Sequence, residues 1–85
     1  MNAQPSRRFQ KLDVRPILRK GGELFPTIMA KVEGLKDGEG LELTAPFMPA
    51  PLVELLTGQG FQTEMERTED GSWIVWFWKE NPTNL

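Results

Sequence analysis

Eighty-five residues, with ten basic and twelve acidic side chains and a formal net charge of -2, make one small domain near the lower limit for a self-sufficient core. The chain has no cysteine and no histidine, which excludes disulfides, thiol nucleophiles and persulfide carriers and removes the commonest general base and metal ligand. Its carboxylates show no calcium-loop spacing, so neither a metal nor a cofactor is expected.

No apolar run approaches the roughly 18 residues of a membrane span, and the polar start Met1 to Ser6 does not read as a signal peptide. The expectation is a cytoplasmic protein without membrane contact. Charge is uneven along the chain: Arg7, Arg8, Lys11, Arg15, Arg19 and Lys20 crowd the first quarter with Asp13 as its only acid, and the remainder is acidic. Such a division either complements itself within the fold or between subunits, or marks a polyanion site.

Residues 1–8 read as a loose tail, and residues 80–85 as a second one. Between them, residues 9–79 form the domain. Phe9 to Val14 is a short strand with Leu12 and Val14 toward the core, closed by Pro16. Arg15 to Gly22 is read as a loop. The spacing of Phe25, Ile28, Met29, Val32 and Leu35 then predicts an amphipathic helix, with Pro26 in its first turn and Gly34 to Gly38 at its end. Gly40 to Ala45 alternates Leu41, Leu43 and Ala45 against Glu42 and Thr44, as a strand with one wet face does. After the stiff Pro46-Phe47-Met48-Pro49 loop, a helix from Ala50 to Thr57 offers Leu52, Leu55 and Leu56 as its buried stripe. Phe61 to Arg67 alternates again, and Glu69-Asp70-Gly71 turns the chain into a last strand that holds all three tryptophans.

That last strand, Trp73 to Lys79, is apolar on both faces: Trp73, Val75 and Phe77 on one, Ile74, Trp76 and Trp78 on the other. Each helix has a single apolar stripe and two strands are wet on one side. The order βαβαββ therefore points to an α+β, two-layer sandwich, a four-stranded mixed sheet with two helices on one face.

The run Leu12-Asp13-Val14-Arg15-Pro16, then Phe25-Pro26, Ile28-Met29, Gly38-Glu39, Ala45-Pro46-Phe47, Pro51-Leu52, Gly60-Phe61 and Trp73-Ile74-Val75, resembles an uncharacterised family of TusA-like (SirA-like) bacterial domains over about residues 9–79. The resemblance implies the βαβαββ sandwich with the fourth strand between the second and third. Relatives of this type stand alone or beside domains linked to haemerythrin-like, iron-sulfur or nitrogen-oxide metabolism, and the resemblance implies no established activity. TusA proteins carry a persulfide on the cysteine of a Cys-Pro-x-Pro motif at the first helix. Here Glu23-Leu24-Phe25-Pro26 stands in that place, or Gly21 if the alignment is anchored on Gly38-Glu39, so sulfur relay is excluded.

Two surfaces are candidates for binding. The first is the rim at the carboxyl ends of the parallel strands, where Asp13, Arg15, Glu23 and Phe47 gather and where basic residues beside a helix start suit a small anion or a partner's carboxylate. Asp13 and Arg15 are equally suited to an internal ion pair that braces the loop. No nucleophile accompanies the rim carboxylates, and no catalytic residue is assigned.

The second surface is the face of the last strand away from the helices. A three-residue Glu69-Asp70-Gly71 loop, with Thr68 paired to Ser72, puts Ile74, Trp76 and Trp78 there beside Glu64 and Glu66. A two-residue Asp70-Gly71 turn reverses the faces, because a one-residue slip flips every side chain. An exposed aromatic patch marks a protein partner or a homodimer contact, unless the N-terminal tail or flanking stems cover it. The neighbouring carboxylates argue against nucleic acid. The expected function is a non-enzymatic protein-binding module, with a small-anion or metabolite site at the rim as the alternative.

Overall fold

In a computed structural model, residues 8–79 are described; apart from Arg8, the two expected tails fall outside them. The elements run β1 (Arg8–Asp13), α1 (Arg15–Arg19), α2 (Leu24–Glu33), β2 (Glu39–Ala45), α3 (Ala50–Gly58), β3 (Phe61–Arg67) and β4 (Trp73–Lys79). The sheet order is β1-β2-β4-β3, with β1 parallel to β2 and β4 antiparallel to both neighbours. The mixed sheet under one helical layer is the architecture that the alternation of elements implied. Among the described residues no helix is long and apolar enough to cross a membrane.

Alternation along the strands assigns every strand residue to a face. Leu41, Leu43 and Ala45 of β2 pair with Phe77, Val75 and Trp73 of β4, and these point toward the helices. Leu41, Leu43, Val75 and Phe77 lose all contact with water, as does Leu56 of α3, while Leu52 and Ile28 lose nearly all of it. Each such side chain contributes about 1.5–3 kcal/mol by leaving water. Two strands side by side in the middle of the sheet thus supply most of the core, and the helices α2 and α3 roof it.

Four expectations are corrected. The segment Arg15 to Gly22 is not all loop: Pro16 sits in the first turn of α1, where its missing N-H costs nothing, and Ile17 packs on the core. Phe25, expected in the buried stripe, is 46 % exposed, and Leu24 packs on the core instead. Leu55 is also exposed, because α3 packs over β3, the last strand of the sheet, and only one side of its stripe finds sheet beneath it. Trp73 is half-buried rather than fully buried, being the first residue of β4 and next to the turn.

Candidate functional site

The two candidate surfaces depend on the same hairpin. Its turn is the three-residue form: the Thr68 N-H donates to the Ser72 carbonyl at 2.9 Å, the Gly71 N-H donates to the Thr68 carbonyl at 3.1 Å, and Gly71 takes φ 88°, the left-handed conformation glycine adopts without a Cβ clash. Asp70 holds the turn from inside, its Oδ1 accepting from the Thr68 hydroxyl and from the Ser72 N-H. Those two donors, with Arg15 nearby, hold its carboxyl below the ordinary aspartate range. Met65 consequently lies opposite Val75, Glu66 opposite Ile74 and Glu64 opposite Trp76.

At the rim, Arg15 closes on its own surroundings. Its Nε and Nη2 donate to the two carboxylate oxygens of Asp13 at 2.9 and 2.7 Å, and its backbone N-H adds a third bond at 3.0 Å. The Asp13 carboxyl is held below its ordinary range chiefly by that guanidinium. From the other end of the guanidinium, Nη1 donates to Ser72 Oγ at 3.2 Å and stands 3.5 Å from Asp70 Oδ2. Arg15 therefore ties the end of β1 to the β3-β4 turn, which is the bracing role weighed for it, and a planar five-donor fork suits that role better than an ammonium would. Glu23 is exposed at the N-cap of α2 and caps nothing with its side chain; its carbonyl accepts from the Thr27 hydroxyl.

Phe47 shares the rim by topology, since β1 and β2 both end there and α2 and α3 both begin there. It is 46 % exposed, as is Phe25, and Met48 is 40 % exposed. What the rim offers a visitor is thus more apolar than the basic residues around Arg15 suggested.

The open face is built in rows across the four strands. Phe9, Gly40, Trp78 and Gln62 form one row, Lys11, Glu42, Trp76 and Glu64 the next, and Asp13, Thr44, Ile74 and Glu66 the third. Ile74 and Trp76 are half-buried on the side of the sheet away from the described helices. The Trp76 indole N-H donates to Glu42 Oε1 at 3.2 Å, which fixes the ring against the sheet.

Trp78 departs from the expectation of an exposed patch. It is only 9 % exposed, and the Phe9 ring meets it edge to face, with centroids 6.3 Å apart and planes at 90°. Phe9 reaches it by lying across Gly40, where any side chain would be in the way: a Cβ there would stand 2.6 Å from Phe9 Cε1. This Phe9-Gly40-Trp78 arrangement was missed in the sequence, because pairing between distant strands decides it. The only local sign was a glycine inside a strand pattern, which marks close approach of another group.

The accessible centre of the open face is therefore Ile74 and Trp76, fringed by the carboxylates of Glu42, Glu64 and Glu66. Among the described residues no group of three acidic side chains could hold a metal ion. The family model described as "Uncharacterized conserved protein (DUF2249)" matches residues 11–79. Neither a curated protein nor a solved structure matches the chain.

Proposed function

Because the chain belongs to the DUF2249 family of uncharacterised conserved proteins, which brings no activity with it, we propose from its geometry that it is a non-enzymatic, TusA-like protein-docking module. The observation that carries this reading is the one-sided roof: the main buried cluster lies under the helices on one side of the sheet, while on the other side of the interior strand β4 Trp78 is buried and Ile74 and Trp76 are only half-buried. An interior strand with apolar side chains left half-covered is the kind of surface that a partner completes. The fringe of Glu42, Glu64 and Glu66 suits a partner patch with an apolar centre and lysine or arginine around it. The same fringe disfavours nucleic acid, whose phosphates it would repel. The resemblance to TusA-like domains is supported by strand order, and the lack of cysteine separates this chain from sulfur relay.

The alternative of a small-anion site at the rim has weaker support. Every guanidinium nitrogen of Arg15 already faces an oxygen of Asp13, Ser72 or Asp70, and Glu23 adds a negative charge close to the helix start.

The test is Trp76→Ser. Sedimentation of the purified chain reads self-association, and affinity recovery from native lysate followed by mass spectrometry reads other partners. Loss of either a self-association or a specific partner, with the fold retained, supports docking through the open face. Unchanged behaviour in both measurements sinks it.

A further inference from the structure

The outer side of β3 pairs with no strand among the described residues. Free edges of this kind are usually blunted by charged side chains, lysine above all, by a proline, a bulge or a covering element, and of these β3 carries only the charges of Glu64, Glu66 and Arg67. Here the register with β4 is unbroken from Phe61 opposite Lys79 to Arg67 opposite Trp73, so there is no bulge, and the seven residues include no proline and no lysine. From Glu64 to Arg67 every residue is exposed.

The hydrogen-bond phase is fixed by the turn. Thr68 bonds to Ser72, and in an antiparallel pair the bonding residues alternate. Gln62, Glu64 and Glu66 therefore direct their backbone groups to β4, whereas Thr63, Met65 and Arg67 direct theirs outward, ready for another strand.

The side chains along this edge select what that strand is. On the open face the edge carries Glu64 and Glu66. On the helix face it carries Met65, 37 % exposed, and the exposed Arg67, and Leu55 of α3, the helix that packs on β3, is 38 % exposed. A second copy of β3 is a poorer match than a basic strand: full antiparallel overlap sets Glu64 against Glu64, a shift by two in one direction sets Glu64 against Glu66 twice, and a shift by two in the other sets Glu64 against Gln62, which offers it no opposite charge. Like charges directly opposite destabilise a strand pair, and opposite charges stabilise it.

We infer that the free edge of β3 accepts an extended basic segment of another protein as a fifth strand. The outward backbone groups of Thr63, Met65 and Arg67 bond to its main chain. Alternate lysine or arginine side chains pair with Glu64 and Glu66, and the apolar residues between them cover Met65 and Leu55. This contact shares Glu64 and Glu66 with the fringe of the open face, but its main-chain bonds are made by the outer edge of β3 and not by Ile74 or Trp76.

The full chain, labelled with nitrogen-15, is titrated with a blocked heptapeptide alternating lysine and valine. Controls are the glutamate-valine counterpart and the lysine-valine peptide N-methylated on alternate amides. The expected result is slowed hydrogen exchange at the Thr63, Met65 and Arg67 amides with the lysine-valine peptide alone. Affinity falls about tenfold in the double variant Glu64→Lys/Glu66→Lys and falls less with Glu64→Gln/Glu66→Gln. Binding of the N-methylated peptide equal to that of the parent overturns the proposal, as do perturbations confined to Ile74 and Trp76, no binding, or a dimer paired through β3.

Discussion

The ring of Phe9 lies across Gly40 of the neighbouring strand, in the space that a side chain at residue 40 would occupy, and its edge meets Trp78 one strand further on. A glycine in a strand interior ordinarily weakens the strand, since it brings backbone entropy and nothing to pack. Here the aromatic ring from β1 fills the gap. The edge strand is thereby fastened to the interior of the sheet on the face that has no helices, where few other apolar contacts hold it.

Gly40→Ala is expected to cost about 1–3 kcal/mol, the range for forcing a methyl into a packed site, read as a lower urea midpoint. Phe9→Ala opens the space and uncovers Trp78, so tryptophan emission shifts to the red. In the double variant part of the Gly40→Ala cost disappears, while the part due to the Phe77 carbonyl oxygen, also too close to a Cβ at residue 40, remains. Simple additivity would show that the ring is not the obstacle.

Asp13→Asn tests the clamp through its pH dependence. The carboxyls of Asp13 and Asp70 titrate below their ordinary value of 3.8 in the folded protein. A carboxylate with a depressed folded pKa contributes stability that is complete above the unfolded pKa and is lost as pH falls through the folded one. The variant is therefore less stable than the parent at neutral pH, and the gap in urea midpoint closes as the pH falls below the ordinary aspartate value and on through the depressed folded one. A gap that stays constant with pH would remove the ion pair as its cause.

Arg15→Lys keeps the charge and loses the fork. Lysine cannot reach Asp13 in two-pronged fashion and Ser72 at once, so the tie between β1 and the turn loosens. Hydrogen exchange at the Ser72 and Gly71 amides is expected to quicken, with little change in the β2-β4 centre. Equal exchange in both proteins would mean that the turn holds itself.

Thr63→Val is expected to stabilise by about 1 kcal/mol. The Thr63 hydroxyl oxygen is buried and has no hydrogen-bond partner. Valine has nearly the same shape without the unmet polar group, and it is a good strand former. A lower urea midpoint in the variant would indicate that the hydroxyl is satisfied after all.

Gly71→Ala places a Cβ in the left-handed conformation at φ 88° and is expected to cost about 1–2 kcal/mol. Gly71→Asn is expected to cost less, because asparagine tolerates that region. Comparison of the two by thermal unfolding separates conformational strain from simple loss of a glycine. Equal costs would point away from the backbone conformation.

Much of the architecture was legible in the chain. Leu41, Leu43 and Ala45 alternating against Glu42 and Thr44 marked a strand with one buried side, and the glycine of Glu69-Asp70-Gly71 marked the turn length. With the turn length comes the face of every residue in β4, because alternation leaves no freedom once one pair is set. The limits of the buried helix faces were read less well. Phe25 and Leu55 have the right spacing for a buried stripe, yet each lies where the packed layer stops, and spacing carries no information about where a neighbouring layer stops.

The binding surfaces divide in the same way. The sequence by itself determined that the chain has no thiol or imidazole chemistry and that its last strand is apolar on both sides, since composition and parity are properties of the chain alone. Only the tertiary structure decided which of those apolar side chains meet water. Trp78 is covered by Phe9, 69 positions earlier in the chain, Trp76 is turned to Glu42, and Arg15 is spent on Asp13, Ser72 and Asp70. Apart from the local bond of Arg15 to Asp13, two residues away, these outcomes depend on contacts between segments far apart in sequence, and such contacts are chosen by the packing of the whole sheet rather than by any local pattern.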